Sequence, residues 1–316
     1  MANYGWTNDS GSGVLKNNKL SAKIRDAAVV QSVGAQFIDM EPGYGRGNGE
    51  SITVTRISNV TVPTSALLTE GQPISEDTFS ISSQAITVAE NGRAIPFTSL
   101  AKDLSTFDVS SKIQRKLMQQ MKISMDRAIF TAGKTGQIKA IPDGIASLTM
   151  DTDGTASTAG TVNYNSYHAG QIRDYLFSTL NVEPMPGDYY IGAVSTKAKR
   201  GLMADPDFSE WNKQNDARKK FKSELGEWEN IVHVEVPDTN CLSASKGTGS
   251  VQGEALFFGM DFISMAVAVD PELRVKVPTD YGRSLGVAWY GIYGYEQIWD
   301  DSANAGEARC VHFTSS

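Results

Sequence analysis

The sequence predicts an α+β chain that packs against other protein chains, and three observations predict it. Residues 50–97 carry the pattern of one long β-hairpin, a long basic helix follows, and the rest passes through an α/β stretch into closing strands. The bulk composition agrees with a folded chain. Of 316 residues, 40% are hydrophobic and 21% charged, enough for a sizeable core. The net charge of -7 argues against a dedicated nucleic-acid binder, which is usually basic overall. Cys241 and Cys310 stand far apart and in no motif, which suits a reducing compartment rather than a disulfide framework. No signal peptide opens the chain, and no segment approaches the roughly 20 apolar residues of a membrane span.

Residues 1–49 read as an extended arm. Within it, Ser21 to Phe37 places Ile24, Ala27, Ala28, Val30 and Val33 on a short apolar stripe. The arm ends in a glycine-rich joint, Glu41 to Gly49, where positive φ costs little. Ile52 and Val54, then Val60 and Val62, alternate with polar residues as one strand, and Phe79 with Ile81 and Ile86 with Val88 form the return. The parity changes between the last two pairs, which predicts a bulge between Ser82 and Ala85. The turn cluster Glu70 to Asp77 makes a polar, acidic tip. A lone two-stranded hairpin is marginal in water, so such an arm implies a surface to lie on.

Asn91-Gly92 is expected to end the hairpin, with a helix to follow. Asp108 or Ser110 is the candidate N-cap. Ile113, Leu117, Met121, Met125 and Ile129 recur at i+4 steps, Met118 widens the stripe, and Gly133 fits the C′ position. The opposite face carries Lys112, Arg115, Lys116, Lys122 and Arg127 against Asp126. Residues 136–165 read as loop. Asn165 or Ser166 then caps a helix with Ile172, Leu176, Phe177 and Leu180. Tyr189 to Val194 reads as a buried strand, Ser195 caps a short helix, Phe208 to Leu225 is a charged helix, and Ile231 to Val236 is a strand. The remaining expected strands are Ala255 to Phe258, Phe262 to Val269, Leu273 to Val277 and Leu285 to Trp299.

Motifs that imitate chemistry read as structure. Ala128 to Thr135 is a loosened phosphate-loop pattern, but a helix enters it where a strand should. Gly282-Arg283-Ser284-Leu285-Gly286 fits a nucleophile elbow, with Asp300, Asp301 and His312 following in order, yet a strand pattern follows Ser284 where a helix is required. Asp151-Thr152-Asp153-Gly154 lacks the remaining ligands of a calcium loop, and His168, His233 and His312 lie apart from one another and from any cysteine pair. No catalytic, cofactor or metal residue is assigned.

Three further stretches carry a resemblance. Ala66-Leu67-Leu68-Thr69-Glu70-Gly71 looks like a hairpin-tip piece, Val88 to Thr98 like a return strand, and Tyr281 to Ile292 like a closing strand of the major capsid proteins of tailed bacteriophages. Together with the order of elements, the chain resembles that family over nearly its whole length. The resemblance implies the family's fold: an N-terminal arm (1–49), an E-loop hairpin (50–97), a spine helix with the first part of the P-domain (98–164), an A-domain (165–260), and closing P-domain strands with the tail (261–316). It implies hexamers and pentamers tiling an icosahedral head around double-stranded DNA, in a virion assembled in the host bacterial cytoplasm. Candidate intersubunit residues are Glu70, Glu76 and Asp77 at the tip, with Arg93, Arg46, Tyr4 and Trp6. Lys112, Arg115, Lys116, Lys122 and Arg127 are candidates to face the genome, against the alternatives of solvation or acidic neighbours. The absence of a long segment before the arm implies a separate scaffold protein. A portal and a cement or decoration protein are further expected partners, and a membrane is not. The alternatives are a phage decoration or tail protein, or a serine hydrolase around Ser284.

Overall fold

A computed structural model describes residues 32–41, 45–60, 62–105, 108–214, 223–299 and 306–316. Tyr4, Trp6 and most of the arm's apolar stripe lie outside these residues. Two sheets and one long helix make the frame. The first sheet has four strands: β1 (Ile38–Met40), β11 (Ile263–Val275), β12 (Ser284–Glu296) and β4 (Ala89–Thr98), in that order. The second has seven, in the order β6 (Ser147–Asp151), β5 (Ile138–Gly144), β13 (Cys310–Phe313), β10 (Ala255–Phe258), β7 (Tyr190–Ser195), β9 (Ile231–Val236) and β8 (Glu224–Trp228). The hairpin strands β2 (Ser51–Ile57) and β3 (Ile81–Thr87) pair only with each other.

After a short helix α1 (Ser99–Leu104), helix α2 (Val109–Lys134) joins the two sheets. Its 26 residues rise about 39 Å, long enough to serve two cores. Asp108 caps it by accepting a hydrogen bond from the Ser111 amide. Near its start, Leu117 packs with Val287 and Trp289 of β12, flanked by Phe97, Ile113, Met121 and Leu273. Near its end, Ile129 and Phe130 enter the core under the seven-stranded sheet with Ile191, Val232, Leu256 and Phe258. Each such fully buried side chain contributes about 1.5–3 kcal/mol by leaving water. The other face of that sheet is covered by α3 (Ser166–Asp174), α4 (Thr196–Ala204) and α5 (Pro206–Gln214), whose Ala169, Ile172, Ala198, Leu202 and Phe208 are buried.

Several expectations change. Gly133 is inside α2, not beyond it, and its role is close packing: a Cβ there would sit 2.8 Å from the Phe262 ring. Met118 is 44% exposed and leaves the stripe. Residues 138–151, read as loop, form β5 and β6, because Pro142 and Gly144 fall at an irregularity the sheet tolerates. Asn91-Gly92 lies inside β4 and does not end the hairpin; Gly92 is needed because a Cβ would meet the Trp289 carbonyl oxygen at 2.8 Å. The helix read over 208–225 begins at Pro206 and is described to Gln214, residues 215–222 lie outside the described residues, and Leu225 belongs to β8. Phe262–Val269 and Leu273–Val277 are one strand, β11, with register shifts between them.

The hairpin register is unbroken from Ser51↔Thr87 to Ile57↔Ile81, so the predicted bulge is absent. The parity change has another cause. Ile86 is buried with Ala266 and Ile298, whereas Ile57 and Ile81 are cross-strand partners on the outward face, 58% and 62% exposed. The body of the subunit covers the inner face, and the outer face is polar apart from Ala85 and the Ile57–Ile81 pair at its far end.

Candidate assembly surfaces

Beyond Ile57 and Ile81 the chain leaves the ladder. Residues 62–80 (residue 61 is not among those described) have no strand partner. They close through Ser58 N–H to the Ser80 carbonyl (3.0 Å), and the tip turns through Gln72 N–H to the Thr69 carbonyl (3.1 Å), with Gly71 at positive φ. Val62, Leu67, Leu68, Ile74 and Phe79 stand in water along this segment, Leu67 at 89% exposure. Five large apolar side chains exposed along one segment of 18 residues suit a surface that another chain covers. Glu70, Glu76 and Asp77 are exposed beside it, and no lysine or arginine occurs between Arg56 and Arg93. The arm is therefore acidic and apolar at once.

Its root is fixed by residues that sequence reasoning missed. Arg56 is buried; its Nε donates to the Ser82 hydroxyl (2.7 Å) and its Nη1 to the Ile298 carbonyl. The Glu307 carboxylate accepts from the Ser58 hydroxyl (3.2 Å) and the Asn59 amide (3.0 Å). A cation in a strand gave no signal for this, because its partners lie far along the chain.

The structure divides the basic residues of α2. Arg115 and Lys122 are exposed around a groove with Met118 and Gln119, while Lys112 and Lys116 are half-buried beside them. Arg127 turns away: its Nε lies 2.7 Å from the Asp238 carboxylate, which that guanidinium helps hold below the usual range against the cost of burial. Asp126 is not on this face at all. It is buried and accepts from the Ser32 hydroxyl (3.2 Å) and from the Val33 (3.1 Å) and Gly34 (2.5 Å) amides, tying the arm's root to the helix. Burial outweighs these bonds and raises its pKa. Arg93 is exposed on β4 beside a groove of about 640 Å³ that it shares with Glu90, Lys116, Arg127 and Trp289. Arg46 is exposed in the glycine joint.

A buried polar hub sits where α2 meets the seven-stranded sheet. Glu254, 3% exposed, accepts from the Ser243 amide (2.7 Å) and the Thr314 hydroxyl (3.3 Å). Lys134 of α2 is 3.4 Å away, Lys246 3.7 Å and His312 of β13 3.5 Å. Lys139 donates to the Lys134 carbonyl (2.7 Å) and lies 3.2 Å from His312 Nδ1, so neutral His312 directs Nε2–H at Glu254. Against the cost of burial, these donors and cations bring Glu254 down to about 2, while burial brings His312 down to about 4.

The chemical look-alikes resolve as structure. Ala128 to Lys134 is helix. Ser284 opens β12, and its hydroxyl accepts from Lys276 (2.8 Å); His312 is engaged in the hub. Asp151 and Asp153 cap turns at the Ser157 and Thr155 amides. No group of three or more potential metal ligands occurs among the described residues. No helix among them is long and apolar enough to cross a membrane.

No family model and no curated protein matches the chain. Solved structures do. A chain from the capsid of Ralstonia phage GP4 aligns over 98% of this chain and 98% of its own, at TM-score 0.71 and 14% identity. One from the acidic stable capsid of Helicobacter pylori bacteriophage KHP30 covers 100% and 99%, at TM-score 0.70 and 13% identity. One from the capsid asymmetric unit of cyanophage Pam1 covers 100% and 99%, at TM-score 0.66 and 14% identity. From end to end, the chain has the α+β fold of bacteriophage capsid subunits.

Proposed function

We propose that this chain is a major capsid protein that assembles into the hexamers and pentamers of an icosahedral head enclosing double-stranded DNA. The observation that carries the reading is the acidic, apolar arm, whose exposed residues make sense only against another subunit, on a chain with the capsid fold throughout. In this reading the arm is the E-loop (50–97), α2 the spine, residues 165–260 the A-domain, and the four-stranded sheet with the tail belongs to the P-domain. The protein is structural rather than catalytic and resides in the virion shell, assembled in the host cytoplasm. A portal, a separate scaffold and a cement or decoration protein are its further partners. The α2 face of Lys112, Arg115, Lys116 and Lys122 is the surface offered to packaged DNA; Arg127, held by Asp238, is withdrawn from that role. Closed hexameric and pentameric rings arise from heterologous contacts of this sort.

Deleting Thr64 to Ser80 tests this directly. The deleted segment adds no partnered strand to the body, so the variant should keep the unaltered chain's circular dichroism and melting temperature and sediment as subunits without shells. Shells of normal yield from that variant would overturn the arm's role.

A further inference from the structure

The pair Asn-Gly occurs at two places in the chain, Asn48-Gly49 and Asn91-Gly92. It is chemically special because the backbone nitrogen of the second residue can attack the side-chain amide of the first. Glycine has no Cβ to block that approach and turns freely about φ. Closing the ring also rotates ψ of the asparagine, so the local backbone must be free to leave its conformation. The sequence makes the two sites alike, and the fold separates them.

Asn91-Gly92 is locked. Both residues lie within β4, opposite Gly291 and Tyr290 of β12. The Asn91 Nδ2, the group that would leave, donates to the Ala89 carbonyl at 2.9 Å. Gly92 has no room to turn, since even a Cβ there would meet the Trp289 carbonyl oxygen at 2.8 Å. Reaction at this site requires β4 to part from β12, an opening that draws on the stability of the fold. Asn48-Gly49 is open. It lies in the joint before β2, outside the sheets, and residues 46–50 are exposed. Gly47 and Gly49 have φ of 88° and 93°, so glycine on both sides gives Asn48 the widest backbone freedom. Nothing lies within 4 Å of where a Cβ would sit at Gly45, Gly47 or Gly49. Ring closure here breaks no strand pairing.

We propose that Asn48 is a site of spontaneous deamidation, at which the joint between arm and hairpin changes while the folded body is spared. The Gly49 nitrogen gives its proton to hydroxide and bonds to Asn48 Cγ. The Cγ–Nδ2 bond then breaks, and ammonia leaves with a proton taken from water. Water adds to either carbonyl of the succinimide and opens it, so the only co-reactant consumed is water. One product is an aspartyl residue. The other is an isoaspartyl residue, whose main chain runs through Cβ and Cγ and is therefore longer. Either places a new carboxylate beside Glu50, whose carbonyl accepts from the Val88 amide (3.0 Å) at the foot of the hairpin. The proposal does not depend on the capsid reading.

The test ages the purified, folded full chain at mildly alkaline pH and reads its tryptic peptides by mass spectrometry, with an unaged sample as zero. The two sites fall on separate peptides, 47–56 and 57–93. Fragmentation places the change within each. Asn48 should convert at least about tenfold faster than Asn91, because only Asn91 waits on an opening of the sheet. Peptide 47–56 should gain the mass difference between an amide and an acid and split into two products on reversed-phase chromatography. In urea the two sites should convert at similar rates. Asn48→Gln should abolish conversion of peptide 47–56 and leave that of 57–93 unchanged. No conversion at Asn48, equal rates in the folded chain, or faster loss at Asn91 overturns the assignment. A difference that persists in urea overturns its structural cause.

Discussion

Glu254→Ala should cost about 3–5 kcal/mol of stability, the loss expected when one partner of a buried ion pair is removed and its cations stay behind. Lys134, Lys139 and His312 would then face one another with no carboxylate, and the Ser243 amide would lose its acceptor. The effect is large because the hub joins the end of α2 to β13 and to the loop before β10. Urea unfolding of the subunit measures it, and a loss below about 1 kcal/mol would show that the hub is only a surface pair. The hub also sets a pH dependence. Glu254 titrates lower in the fold than unfolded, so its contribution is complete above about 4.5 and is lost as pH falls toward about 2. His312 and His233 are held neutral by burial at about 4, against 6.5 unfolded, so the unfolded chain binds their protons first and stability falls between those values. Each of these histidines contributes about 3 kcal/mol to that fall. Asp126, raised by burial, opposes the trend over its own range. The subunit should thus lose stability on acidification from pH 6.5, and Glu254→Ala should flatten the lower part of the curve.

Gly294→Val should abolish shells while leaving most of the subunit folded. Gly294 lies in β12 where the hairpin's return crosses it: a Cβ there would collide with the Thr87 carbonyl and stand 3.2 Å from Val88 Cα. The neighbouring contact is backbone, so it cannot rotate away, and the crossing must shift. Overpacking of this kind costs typically about 1–3 kcal/mol. Its larger consequence is geometric. The crossing seats Ile86 against Ala266 and Ile298, and Arg56 bonds the Ile298 carbonyl. A small displacement at this root becomes a large one at a tip beyond Ile57. The expected result is a melting temperature a few degrees lower and no assembled particles by sedimentation. Particles at normal yield would mean that the root does not aim the arm.

What the sequence disclosed follows the physics of each segment. Ile231–Val236 and Ala255–Phe258 were legible to the residue because they are buried runs of β-branched and aromatic side chains. Helix α2 was legible from its i+4 apolar repeat and from Asp108. The four residues of β13 were not, since a short strand paired on both sides needs no pattern of its own. Glycine misled twice: Gly133 and Gly92 look like punctuation, but each is small because another chain segment passes close by. The acidic tip could be read directly, as could the cations of α2. Their division could not, because Asp238, which takes Arg127, lies 111 residues away. The hub was invisible for the same reason, since Lys134 is 120 residues from Glu254 and Thr314 is 60.

Electron microscopy of the purified, full-length protein under assembly conditions tests the central claim most directly. The account predicts closed icosahedral shells, with density for the arm of each subunit lying on its neighbour. A protein that stays monomeric at all concentrations, with the arm folded onto its own body, would contradict it.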